Sequence, residues 1–207
     1  MLARQTALWL VIGLCLGACS TAKRKTPQLS DFEGKSVALV DIEGEASERS
    51  VVEVALINQL AKHGSFVLVN KREIEAAKTA YDSDTTKWLD IAKKAGAEIA
   101  LKAHVLEFNG DTQEGYSKEP IEDSQLEAER GDGHDERVFK VKALRGKVCV
   151  QLTFHQLENH DERVGIAEAE GEVIEEARVK AARLPPKMRY LETLANQAFA
   201  SFFEKYQ

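Results

Sequence analysis

Thiols, imidazoles and carboxylates are the groups here that could do chemistry, and the 207 residues offer three Cys, five His and 34 acidic side chains. Cys15 and Cys19 close an uncharged N-terminal run, whereas Cys149 sits inside an alternating pattern with no His or Asp constellation beside it. That setting predicts a packed thiol and not a nucleophile. The histidines, at 63, 104, 134, 155 and 160, form no His-x-x-x-His or His-Glu-x-x-His pair, so no helix-borne metal site is expected. His-Asp-Glu-Arg-Val occurs at both 134–138 and 160–164, either as two similar ion or partner loops or as two polar turns of similar composition. Glu168, Glu170 and Glu172 are spaced by two and predict a row on one strand face, not a facing acid/base pair. The chain has no Gly-x-Ser-x-Gly, no Gly-x-x-x-x-Gly-Lys-Ser and no Gly-x-Gly-x-x-Gly after its first strand. The expectation is a protein that is not an enzyme, with no catalytic residue, metal ligand or cofactor.

Cys19 is the exception. Arg4 precedes an uncharged run from Ala7 to Leu16, which ends in Leu16-Gly17-Ala18-Cys19. The run is shorter than the roughly 20 residues that cross a bilayer as a helix, and the order of cation, apolar stretch and small residues is that of a secretory signal. Its end resembles the bacterial lipobox. That resemblance implies removal of residues 1–18, a thioether-linked diacylglycerol on Cys19 and an acyl chain on its new amine; the alternatives are a non-lipidated signal or an uncleaved anchor. Each buried methylene adds about 0.8 kcal/mol to membrane affinity, so several chains on one residue anchor firmly. Ser20 in place of Asp resembles the sorting signal for the outer membrane, with the folded domain facing the periplasm. Residues 19–34, punctuated by Pro27 and Gly34, read as a lipidated tether. Its Lys23, Arg24 and Lys25 suit either an anionic lipid surface or solvent.

Beyond the tether the pattern is that of one folded domain over 35–207. Val37 to Ile42 is apolar on both faces, as in a strand covered on two sides. Ser47–His63 carries Val52, Ala55, Leu56 and Leu60 on one helical face and meets Gly64. Ser65–Val69 predicts a second strand, Asn70 caps a helix burying Ile74, Ala77 and Tyr81, and a further helix after Asp84 shows Trp88, Ile91, Ala92 and Ala95. Ile99, Leu101, Ala103 and Val105 then alternate with polar or small residues. A β-α-β-α-α-β order predicts the α/β class, with a single mixed sheet and packing helices.

Residues 109–136 contain ten acidic and two basic residues and four glycines, and they predict an acidic mobile loop. Within it Asp111, Glu114, Glu119, Glu122, Asp123, Glu127, Glu129 and Asp132 are the candidate partner-binding residues. The loop lacks the spacing of an EF-hand. After it Phe139, Val141 and Ala143 alternate on odd positions but Val148 to Phe154 on even ones, which predicts a turn or bulge at Arg145-Gly146. A hairpin turning at His160-Asp161 would set Leu152 opposite Ala169 and Phe154 opposite Ala167, with Gln151 and Thr153 facing Glu170 and Glu168. Gly165, Ala167, Ala169 and Gly171 leave room for a closely packed helix. The stripe Met188, Leu191, Ala195, Ala198 and Phe202 supplies one.

This order resembles the periplasmic α/β domain shared by CsgG, PelC, LpoB and the N-terminal part of TolB. The resemblance rests on Val37-Ala38-Leu39-Val40, on Leu60-Ala61-Lys62-His63-Gly64 before Phe66 to Arg72, and on Ala92-Lys93-Lys94-Ala95-Gly96-Ala97-Glu98. It implies a non-catalytic assembly, scaffold or regulatory module of an envelope machine. A second implication is a ring-forming subunit of an export channel, and a third class, an envelope hydrolase, rests on nothing in the sequence. The expected partners are the bilayer, through Cys19, and an envelope protein, with a homo-oligomer open. CsgG builds its pore from long amphipathic insertions, whereas the acidic segment shows no such alternation and predicts no pore. A formal charge of −6 with a pI near 5.5 argues against nucleic acid. Cleavage before Cys19 would remove Arg4 and leave −7, of which residues 109–136 carry −8.

Overall fold

The computed structural model describes residues 28–63, 66–79, 87–120, 136–176 and 183–206. A 3₁₀ turn, Leu29–Phe32, leads into β1 (Ser36–Glu43), α1 (Ala46–His63), β2 (Val67–Leu68), α2 (Lys71–Lys78), α3 (Trp88–Lys94), β3 (Ile99–Pro120), β4 (Glu136–Gln156), β5 (Asp161–Glu176) and α4 (Lys187–Lys205). The five strands form one mixed sheet in the order β2-β1-β3-β4-β5. β1 is parallel to β2 and β3, and β3, β4 and β5 are successively antiparallel. The α/β class with a single mixed sheet is therefore the fold.

Alternation along β1 divides the interior in two. Val37 joins the larger core under α1 and α4, while Ala38 and Val40 join a smaller one with Ile74 of α2 and Ala92 of α3. The larger core is aromatic: Phe154 stacks between Phe32 at 5.5 Å and Phe202 at 6.3 Å, and Phe199 and Phe203 are fully buried. α1 starts one residue before the expected Ser47. The Glu48 carboxylate accepts from the Glu45 amide at 3.0 Å, one half of a capping box, and the Glu45 carbonyl accepts the first helical bond from Arg49. Asn70 caps α2 as expected, its Oδ1 accepting from the Arg72 amide at 2.9 Å. Gly146 and Gly171 explain how closely α4 packs: an added Cβ would lie 2.8 Å from Leu194 Cδ1 at the first and 2.6 Å from the Tyr190 hydroxyl at the second.

Four expectations need correction. Residues 109–120 are not a loop but the outer half of β3, paired residue for residue with 136–147 of β4; residues 121–135 lie outside the described residues. A strand open to solvent needs no apolar rhythm when ladder hydrogen bonds and cross-strand charges hold it. No turn or bulge interrupts β4 at Arg145-Gly146, because Leu144, Val148, Val150, Leu152 and Phe154 keep one inward row and Phe139, Val141 and Ala143 lie on the other face. The β4–β5 register is four residues away from the expected one, with Leu152 opposite Gly165 and Phe154 opposite Arg163. The turn runs through Leu157–His160, where His160 adopts φ +55° and Asn159 Oδ1 accepts from the Asp161 amide at 3.0 Å. An even slip preserves the faces but gives Gln151 and Thr153 the partners Ile166 and Val164. Finally, the body begins before residue 35: Phe32 is 1% exposed and Asp31 pairs with Arg163, so these residues belong to the body and not to the tether expected over 19–34.

Candidate binding surface

Past Gly110 and its partner Gly146, β3 and β4 run on as an arm to Pro120 and Glu136, and β5 accompanies them to Glu176 opposite Val141. Side chains alternate, so the arm has two unlike faces. The face shared with α4 carries Thr112, Glu114, Tyr116 and Lys118 with Val138, Lys140 and Lys142. Glu114 bridges Lys140 at 2.6 Å and Lys142 at 2.7 Å. These ammonium groups, Lys140 first, hold its carboxyl down at about 2. Tyr116, 75% exposed, and Val138 present their apolar surface to solvent beside this pair. The opposite face carries Gln113, Gly115 and Ser117 with Phe139, Val141 and Ala143, none of them charged, above the cross-strand couple Asp111 and Arg145.

Toward the body that second face becomes a ladder of ion pairs. Arg145 Nε donates to Glu172 at 2.8 Å. Lys147 bridges Glu107 at 3.0 Å and Glu168 at 3.2 Å, and Glu43 bridges Lys102 and His104, each at 2.6 Å. The Lys147 bond lowers the Glu107 carboxyl below its ordinary value, and bonds from Lys102 and then His104 lower that of Glu43. Cys149 sits between Glu107 and Glu168 in register. Burial raises its thiol, and the Glu168 charge adds to this, so it stays protonated at neutral pH as a packed thiol does. Glu43, Glu107, Glu168 and Glu172 on this face are occupied in joining strands. Ile166 and Ile174 stand exposed among them.

Of the residues expected to bind a partner, Asp111 and Glu114 lie on opposite faces of one strand, so they do not form a common acidic surface. Glu119 is the penultimate residue of β3. Glu122, Asp123, Glu127, Glu129 and Asp132 fall outside the described residues, as does Cys19. No group of three or more potential metal ligands occurs among the described residues. No helix among them is long and apolar enough to cross a membrane.

Sequence reasoning missed one residue. His155 is out of phase with the inward row Val150, Leu152 and Phe154 and so lies on the opposite face, where Trp88 of α3 covers it edge-on at 6.0 Å. Both ring nitrogens are buried without a hydrogen-bond partner, and the Glu162 carboxylate is 4.0 Å from Nδ1. Burial lowers its ring below the ordinary histidine value. Only the helix crossing, which strand alternation does not encode, could have revealed it.

No protein-family model matches the chain, and no curated protein matches it. Among solved structures it is similar to the C-terminal domain of LpoB from Salmonella enterica, at 15% identity over 72% of this chain and 95% of that one, with a TM-score of 0.37. It is similar to the PelC dodecamer from Paraburkholderia phytofirmans, at 13% identity over 86% and 92% with a TM-score of 0.37. A minor lipoprotein from Acinetobacter baumannii is similar at 12% identity over 84% and 92%, again with a TM-score of 0.37.

Proposed function

We propose that the chain is an outer-membrane lipoprotein, anchored through acylated Cys19, whose α/β body mounts the β-arm as the docking element of a non-catalytic assembly, scaffold or regulatory module. The observation that carries the reading is polar separation along one sheet. The chain enters beside Phe154 and Arg163 at one pole, and eighteen residue steps of unbroken β4 lead from Phe154 to Glu136 at the other. At about 3.3 Å per residue that path is roughly 60 Å. A bound partner would therefore meet Tyr116 and Val138 well away from the anchored end. Changing Cys19 to Ala is expected to release the protein from membranes and abolish fatty-acid labelling, and a photo-crosslinker at position 116 is expected to capture an envelope protein that the same probe at exposed Val54 of α1 does not. Persistent labelling, or capture only from position 54, would overturn the reading.

A ring-forming export subunit is the second reading, and the structure supplies an observation for it. The stretch Gln113, Gly115 and Ser117 with Ala143, Val141 and Phe139, bordered on β5 by Glu176, backs onto Glu114, Lys118, Lys140 and Lys142, a division of faces that the sequence pattern did not reveal. In this arrangement the arm would turn toward the membrane. The nine links from Cys19 to Gln28, about 30 Å when straight, would then have to run back along the body. Deleting four tether residues would disable that arrangement and leave an outward-pointing arm unaffected. A native mass of eight or more subunits supports the ring, and a monomer excludes it.

A further inference from the structure

β1 is the switch point of the sheet. From its carboxyl end the chain passes to α1 on one face, and from the carboxyl end of the adjacent β2 it passes to α2 on the other. Neighbouring parallel strands whose helices diverge in this way leave a crevice at their carboxyl ends, the general position of ligand sites in open α/β sheets. Here the crevice measures about 610 Å³, within the usual range for small-molecule sites, and Leu39, Val40, Ile57, Leu68 and Ile74 give it an apolar lining.

The charges around it are balanced but incompletely paired. Three cations, Arg49, Lys71 and Lys78, face three carboxylates, Asp41, Glu53 and Glu75. Lys71 pairs with Glu53, and Lys78 with Glu75 at 3.0 Å. Asp41 and Arg49 have no ion partner among the described residues. A bulge accounts for Asp41: Leu39 and Asp41 pair with the successive residues Leu101 and Lys102, so Val40 is the extra residue and Asp41 shares the α2 side with Ala38. Lys102, its register neighbour, is already held by Glu43.

We infer that this crevice binds a short peptide with free ends and aliphatic side chains, its ammonium group at Asp41, its carboxylate at Arg49 and its apolar body on the β1–β2 floor. One unmatched charge of each sign beside an apolar floor suits a zwitterion, whereas a purely anionic ligand would leave the Asp41 carboxylate unmatched. The site is separate from the arm and stands whether or not the arm docks a partner. Titrating the full chain with Leu-Leu by calorimetry is expected to give saturable binding, weakened at least tenfold by D41N and by R49Q. N-acetyl-Leu-Leu is expected to bind D41N as well as wild type, and Leu-Leu amide to bind R49Q as well as wild type, because each lacks the charge that the variant no longer meets. S50W, at an exposed position lining the crevice, is expected to abolish binding while the thermal transition is kept, and carries the test should a charge variant fail to fold. No saturable binding of Leu-Leu at millimolar concentration, or equal binding by all the variants, would overturn the inference.

Discussion

The helix-covered half of the sheet and its arm are built on the same two strands by different physics. In the body, β3 and β4 present Leu101, Val150, Leu152 and Phe154 to α1 and α4, and removal of apolar surface from water supplies the stability. In the arm the same strands carry Glu114, Lys140 and Lys142, and ladder bonds with exposed ion pairs hold them. Such pairs contribute little each. The lesson is that a strand can outrun its core, provided a well-packed segment fixes its register first.

The largest effect that would test this contrast is at Phe154. Phe154→Ala is expected to cost about 3–5 kcal/mol in denaturant unfolding, because it empties the centre of the aromatic stack. Tyr116→Ala on the arm should stay within about 0.5 kcal/mol of wild type. If the two costs were equal, the division between body and arm would be wrong. Next comes Gly146→Val, at the base of the arm, where added methyl groups would strike Tyr190, Leu191 and Leu194. A loss of about 1–3 kcal/mol is expected, seen as a thermal midpoint lower by several degrees.

Acid should act on the body before the arm. The His155 ring has a lowered value in the folded state, so its contribution is present above the unfolded value near 6.5 and is lost as pH falls through the lower folded one. The midpoint should fall between pH 7 and 5, and His155→Phe should flatten that fall, with His160, Glu162 and Asp161 the neighbouring charges to control. Glu114, held at about 2, keeps its arm contribution down to about pH 4.5 and loses it below. The smallest effect is Glu114→Gln. It should leave the global midpoint unchanged and quicken amide exchange at residues 112–118 alone, with the difference shrinking at high salt.

What could be read from the residues follows the same division. α1 and α4 announce themselves because each buries one periodic face, as Val52, Leu56 and Leu60 or Leu191, Ala195 and Ala198 do, and β1 because its apolar run is buried on both faces. The small residues opposite α4 were legible too, since Gly171 and Ala167 only make sense under a close helix. The arm was not, because Asp111, Glu114 and Lys118 mimic a loop in composition and only their cross-strand partners make them a strand. Register failed where turn chemistry decided it, at Asn159 and His160. The crevice was hidden for another reason: it depends on the strand order and on a bulge at Val40, neither of which is written in local periodicity.

The 3₁₀ turn before β1 has a mechanical consequence. Asp31 on Arg163 and Phe32 on Phe154 fasten the incoming chain to the end of the sheet opposite the arm. Were the chain held at its N-terminal side, as proposed for Cys19, and pulled at the arm, the load would run along the length of the strands, and β1, flanked on both sides, could yield only by shearing its ladder bonds together instead of unzipping them one at a time.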